Sequence, residues 1–279
     1  MRQPQTWPVG ICTWSLHDDY SVLETFADEG LRHLHVALLP IIEGDYDAAL
    51  AIHKKDWRVT CTMINYISEN YTTIDTIKET GGLVPDEAWE NNKALTQEAI
   101  VLTQKLGVPY LSFHAGFIDH TNVEVYKKLL GRLQELADDA YKHGVMLLLE
   151  TGQESARDLK ACLQELNHPA LGVNFDPANM ILYDKGNPRE ALKILAPWIK
   201  HVHIKDAISP KQPGLWGEEV VWGSGEVGGE NFLSALQEIG YEGALAIERE
   251  AGESRSEDIR TALQLLRSRR SFTPTTATF

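Results

Sequence analysis

Eight short apolar runs alternate with eight longer amphipathic stretches along this 279-residue chain. The apolar runs fall at 9–15, 33–39, 58–65, 109–115, 145–150, 171–176, 199–205 and 243–249. Each is short and mostly apolar, the pattern of buried parallel strands. The stretches 21–29, 46–55, 86–106, 121–143, 154–166, 188–198, 230–239 and 255–269 read as helices. Within 121–143, Val125, Leu129, Leu133 and Leu136 share one face. Gly30, Gly107, Gly144 and Gly240 follow helical patterns, where a C-cap glycine belongs. Eight strand-then-helix units in a chain of this length predict an α/β fold, a single (β/α)8 barrel over 1–270. A doubly wound open sheet is the competing architecture, but no G-x-G-x-x-G follows the first strand.

Two connections are long, 66–85 and 207–229, the second rich in Gly and Trp. Both leave C-terminal strand ends, where a barrel carries its site, so both are candidate lids. Residues 271–279 lack periodicity and are expected to form a flexible tail. Composition then narrows the partners. Lys and Arg total 26 against 40 Asp and Glu, a net charge of −14 that repels phosphate backbones and argues against nucleic acid. No apolar stretch reaches the roughly 18 residues a membrane span needs, and no apolar signal core precedes the first strand. The expectation is a cytoplasmic protein. Cys12, Cys61 and Cys162 are widely spaced and read as reduced packing residues.

The candidate chemistry lies at the ends of the later strands. Glu150, Asp176 and Glu248 close three apolar runs, and His201 and His203 share a fourth. An unpaired buried carboxylate is costly, so such groups are normally paired or metal-bound. Three carboxylates and one imidazole at one rim suit Mn²⁺, with Mg²⁺, Co²⁺ or Zn²⁺ as other options. The plainer reading gives each carboxylate a lysine, arginine or amide partner; it suits any one of them better than all together. Either histidine fits as the ligand, leaving the other to pack or to meet substrate. His114, Asn179, Lys205, Trp14, Trp216 and Trp222 are candidates for a sugar's hydroxyls and C–H faces. Each also has an ordinary structural reading, as a buried hydrogen-bonded, ion-paired or packed side chain. The glycines at 223, 225, 228 and 229 suit a turning loop better than a phosphate cradle.

Several segments carry a resemblance. ETGQE (150–154), NFDPANMILY (174–183), HVHIKDA (201–207), GSGEVG (223–228) and GYEGALAIERE (240–250) resemble the sugar phosphate isomerase/epimerase superfamily of xylose isomerase-like barrels. GICTWSL (10–16) and SFHAG (112–116) add to it, so the likeness covers nearly the whole chain. It implies a TIM barrel that binds one divalent metal ion in carbohydrate metabolism. In the superfamily's D-tagatose and D-psicose 3-epimerases, the ligands run Glu, Asp, His, Glu. By motif these fall on Glu150, Asp176, His203 and Glu248, and the resemblance makes Glu150 and Glu248 the acid/base pair. This chain has Asn179 where those enzymes carry a substrate histidine and Ala156 where they carry an extra acid. Ser209 stands at the spacing of their arginine, with Lys205 the nearest cation, and His35 replaces a strand 2 glutamate.

The implied reaction is proton abstraction α to a carbonyl, through an enediolate whose charge the ion offsets. A sugar or sugar-like isomerase or epimerase is the first expectation. The alternative is a lyase or dehydratase acting on a keto-sugar, keto-glycoside or inosose, as in relatives such as inosose dehydratase; hydroxypyruvate isomerase is another relative. A phosphodiester nuclease like endonuclease IV would need more metal ligands and a basic surface. A non-catalytic sugar-binding barrel would not need both glutamates. A small carbohydrate is the expected partner, and the resemblance implies a homo-oligomer, dimer or tetramer.

Overall fold

Runs such as LGVNF, buried at all five positions, have no face to show to water and must be covered on both sides. A computed structural model describes residues 7–17, 19–52 and 56–268; the predicted tail at 271–279 lies outside them. Its strands are β1 (Val9–Cys12), β2 (His33–Ala37), β3 (Arg58–Met63), β4 (Tyr110–Phe113), β5 (Met146–Glu150), β6 (Leu171–Phe175), β7 (Ile199–Ile204), β8 (Asp206–Ile208), β9 (Glu218–Val220) and β10 (Ala244–Ile247). Eight of them close a parallel barrel in the order β1-β10-β7-β6-β5-β4-β3-β2. The helices form the outer layer, and the longer ones bury one stripe on the barrel wall. In the helix Val123–Lys142, Leu129, Leu133 and Leu136 are fully buried, while Val125 is half-buried. The four C-cap glycines, Gly30, Gly107, Gly144 and Gly240, have φ of 91, 70, 68 and 71°.

Several boundaries differ from expectation. The first run leaves strand geometry at Cys12, and Thr13–Leu16 wind into a 3₁₀ turn, so Trp14 sits on that turn. β6 stops at Phe175, because the Asp176 side chain accepts from the amides of Ala178 and Asn179 and starts the short helix Pro177–Leu182. The 66–85 connection contains the helix Ile74–Thr80, opened by a Thr73/Thr76 capping box. The 207–229 connection carries a small sheet of its own: β8 and β9 pair as an antiparallel hairpin outside the barrel. All three cysteines are buried and free. No helix among the described residues is long and apolar enough to cross a membrane.

Asp206 anchors the glycine-rich loop after that hairpin. Its fully buried carboxylate accepts from the backbone N–H groups of Ala207 (3.0 Å), Gly223 (2.9 Å), Gly225 (3.0 Å) and Val227 (3.1 Å). A Cβ on Gly225 would come within 2.4 Å of that carboxylate, so glycine is required for this approach. The amides of this glycine-rich loop therefore already hold the chain's own anion in place of a phosphate. Asp206→Asn places an NH₂ against donors and is expected to destabilise the protein by about 2 kcal/mol. Urea unfolding checks this; an unchanged midpoint would remove Asp206 as the anchor.

Candidate metal centre and active site

Successive strands around the barrel, β10, β7, β6 and β5, deliver Glu248, His203, Asp176 and Glu150 to one end. One ligand atom from each lies within 4.8 Å of the others, and all four residues are buried. His203 Nδ1 is 2.9 Å from Glu248 Oε2, 3.4 Å from Glu150 Oε1 and 3.5 Å from Asp176 Oδ2. Yet His203 Nδ1, Asp176 Oδ2 and Glu248 Oε2 have no hydrogen-bond partner. They converge on a point without satisfying one another. Orphaned polar atoms at full burial are strongly disfavoured, and a shared cation is the simplest remedy. Mixed carboxylate and imidazole donors suit a divalent ion of the Mg²⁺, Mn²⁺ or Zn²⁺ kind.

The second oxygen of two carboxylates is occupied structurally. Asp176 Oδ1 caps the Pro177–Leu182 helix through Ala178 N (2.7 Å) and Asn179 N (2.9 Å). Glu248 Oε1 accepts from Trp14 Nε1 at 2.6 Å. Glu150 is held at both oxygens, Oε1 by Asn179 Nδ2 (3.0 Å) and Oε2 by Asn174 Nδ2 (3.3 Å). These bonds lock the rotamers that aim the remaining atoms inward.

Below the centre the lumen is polar. His35 Nε2 lies 3.2 Å from the carbonyl of Thr62, which only accepts, so this nitrogen carries the proton. Burial, then the neighbouring His201 and His203, hold His35 well below its ordinary pKa and thus neutral. Its Nδ1 is therefore an acceptor, 3.0 Å from His203 Nε2. His203 Nε2 also lies 3.1 Å from Asn174 Nδ2, so this nitrogen meets both an acceptor and a donor while Nδ1 faces the three carboxylates.

Electrostatics agree with a cation site. Burial works against ionisation of Glu150, Asp176 and Glu248, but nearby positive groups outweigh it. His114 and His203 lower Glu150; Lys205 and His203 lower both Asp176 and Glu248. Burial also opposes charge on His203, yet Glu248, Cys12 and Glu150 carry its pKa well above the ordinary value. The field of this pocket draws in a proton where an ion would sit. Lys205 Nζ lies 3.2 Å from Glu248 Oε2, 2.5 Å from Glu250 Oε2 and 3.8 Å from Asp176 Oδ2. Burial lowers its pKa, but Glu248, Glu250 and Asp176 raise it well above normal, so it stays charged.

Above the centre opens a cavity of about 550 Å³. Glu150 and Glu248 line it, whereas Asp176 and His203 lie behind them with no exposure. The expected substrate candidates His114, Asn179, Lys205, Trp14 and Trp216 all line the cavity. His114 Nε2 stands 3.8 Å from Glu150 Oε1, and its Nδ1 has no partner. His201 requires correction as a substrate contact. It lies two residues deeper on β7, fully buried, with Nδ1 3.0 Å from Asn174 Oδ1 and Nε2 3.1 Å from Thr60 Oγ1. Trp222 packs against Phe232 in the core. Sequence reasoning did not identify Tyr71, Tyr183, Glu219 or Glu250, which also line the cavity. Glu250 carried a usable signal, two residues past Glu248 at a strand end; Glu219 carried none, since a hairpin outside the barrel brings it in.

Comparison with known proteins follows the same lines. A xylose isomerase domain protein from Planctomyces limnophilus shares 35% identity, with 95% of this chain and 96% of that one covered and a TM-score of 0.83. The inosose dehydratase of Clostridium botulinum is 26% identical over 161 residues, 52% of this chain and 54% of that protein. The chain spans about half the length of the curated relatives it matches. The 3-keto-D-glucoside 4-epimerase YcjR of E. coli superposes with a TM-score of 0.72 over 94% of this chain and all of that one; at 16% identity this shows the fold alone. The family profile described as xylose isomerase-like TIM barrel matches residues 20–269, and the chain belongs to that family.

Proposed function

We propose that this protein is a divalent-metal-dependent isomerase or epimerase of a sugar or sugar-like hydroxy-carbonyl compound. One observation carries the reading: Glu150 and Glu248 stand at the two ends of the ligand arc, on β5 and just past β10, and both border the cavity. An ion held by Glu150, Asp176, His203 and Glu248 supplies positive charge where a deprotonated substrate gathers negative charge. Mn²⁺ is our first choice of ion. Glu150 and Glu248 are the acid/base pair, one working as the carboxylate and the other as the carboxylic acid. The carboxylate takes the proton from the carbon beside the carbonyl; the acid gives its own proton from the opposite side and inverts that carbon, or the first glutamate returns its proton to the adjacent carbon and exchanges ketose for aldose. Asn179 and Trp14 keep the two carboxylates aimed, and Lys205 offers an ammonium to a substrate hydroxyl or oxyanion. His114 borders the same space and serves a hydroxyl. Elimination from the same carbanion is the second reading, favoured by the likeness to an inosose dehydratase.

The test is incubation of Mn²⁺-loaded protein with ketoses, inososes and 3-keto-glycosides in D₂O. Deuterium is expected at the carbon beside the carbonyl, with product mass otherwise conserved. Loss of water or of an aglycone would transfer the protein to the lyases. Absence of exchange across the panel, with the ion bound, would sink the proposal.

A further inference from the structure

Resting on that reading of the floor, we infer that the cavity takes a neutral sugar carrying a second ring, a glycoside, in preference to a free or phosphorylated monosaccharide. The cavity's size is the first reason. Its volume of about 550 Å³ corresponds to roughly 18 water volumes at about 30 Å³ each, room for more non-hydrogen atoms than one hexose carries. The walls divide into two zones. Glu150, Asn179, Lys205 and Glu248 are each at most 5% exposed and form a polar floor. Around it Met63, Tyr71, Leu182, Tyr183 and Trp216 make an apolar and aromatic surround, from which Tyr71, 42% exposed, reaches the solvent. Polyol chemistry belongs at the floor; a ring with C–H faces belongs between the aromatics.

The outer zone is preformed. Gly217 donates its N–H to the carbonyl of Leu182 at 3.0 Å, tying the 209–217 segment to the Pro177–Leu182 helix. A Cβ at Gly217 would meet the carbonyl oxygen of Ile208 on β8 at 2.6 Å and Cα of Leu182 on the helix at 3.0 Å, so three backbones close tightly there. Trp216 packs edge-on to Tyr183, ring centroids 4.6 Å apart. Its indole N–H is buried and has no partner.

Charge decides against a phosphate. Among the described lining residues Lys205 is the single lysine or arginine, and Glu248 and Glu250 already engage it at 3.2 and 2.5 Å. Glu150, Glu219, Glu248 and Glu250 put four carboxylates on the same walls. A dianion in the outer zone would meet Glu219 and Glu250 with no guanidinium to receive it.

Calorimetric titration of the Mn²⁺-loaded protein tests this without turnover. The probes are D-glucose, methyl and phenyl β-D-glucoside, cellobiose and glucose 6-phosphate, together with the corresponding galactose series. The phenyl glycoside and the disaccharide are expected to bind about tenfold tighter than the methyl glycoside in at least one series. The gain should vanish in Trp216→Ala and survive in part in Trp216→Phe, which keeps a ring but loses the N–H. Mn²⁺ uptake by each variant verifies that the floor is intact. Equal affinities across the neutral probes, tightest binding by the phosphate, or no binding at all would overturn the inference. A second-ring gain without deuterium exchange in the reaction assay overturns the reaction and leaves the pocket; exchange with a flat series does the reverse.

Discussion

Mn²⁺ is expected to raise the unfolding temperature by about 8–16 °C when its concentration stands a thousandfold above the dissociation constant. That follows from roughly 4 kcal/mol of linkage and about 2–4 °C per kcal/mol for a chain of this size. The energy comes from atoms that meet through ion pairs alone: His203 Nδ1, Asp176 Oδ2 and Glu248 Oε2 face one another without hydrogen bonds. The effect depends on pH in a defined direction. Without the ion, His203 has its pKa raised well above 6.5. Its protonation contributes stability that is complete below the unfolded value and is lost as pH climbs through the folded one. The ion needs the Nδ1 lone pair and must expel that proton. Apparent affinity therefore rises with pH, by up to about tenfold per unit for one proton, until His203 is neutral unaided. The thermal shift should widen from pH 6 to pH 8. Titrations in buffers of differing protonation enthalpy should report close to one proton released per ion. His203→Ala should lose most of the shift. A shift of full size in that variant, or affinity flat in pH, would refute the four-residue centre.

Much of this site could be read in the chain because a barrel concentrates its chemistry at strand ends. MLLLE places a single carboxylate after apolar residues, and in a parallel strand such a group emerges at the functional rim. The same logic found Asp176 and Glu248, although both lie one residue beyond their strands. It did not separate His201 from His203. Both point into the lumen at period two, and their difference is depth, about 6.6 Å along the strand. Only the closed barrel shows that the deeper ring is already bonded to Asn174 and Thr60. His35 looked like a lost carboxylate; its value as a neutral acceptor depends on the carbonyl of Thr62 across the β2–β3 pair. The 207–229 connection was hardest. Its β8–β9 pairing, and the loop that Asp206 holds by amides up to 21 residues away, rest on long-range contacts that leave no periodicity. Glu219 and Trp216 take their places on the cavity wall from that hairpin, so the outer zone was the least legible part.

Glu150→Gln and Glu248→Gln are each expected to reduce turnover by about 10³-fold or more at saturating Mn²⁺, the range for removing a positioned acid or base. Glutamine preserves shape, and Trp14 and Asn179 keep an oxygen to donate to; in Glu150→Gln the new NH₂ faces Asn174 Nδ2 across a 3.3 Å contact, so urea unfolding of both variants must first show that they fold. Each glutamate would also touch the ion, and a weakened centre could mimic a lost base. Mn²⁺ affinity must therefore be measured separately and saturation shown. What distinguishes bases from mere ligands is asymmetry. Glu150 and Glu248 stand on opposite flanks of the arc, separated by the strands carrying Asp176 and His203. If each serves one side of the substrate, removing one leaves the other able to exchange its own proton. One variant should wash deuterium into the substrate without forming product, and the other should do so only from the product. A purely structural loss would depress exchange in both directions together. Equal residual exchange from both sides, or more than about a tenth of wild-type turnover in both variants at saturating ion, would assign the proton transfer to other residues and leave these glutamates as ligands only.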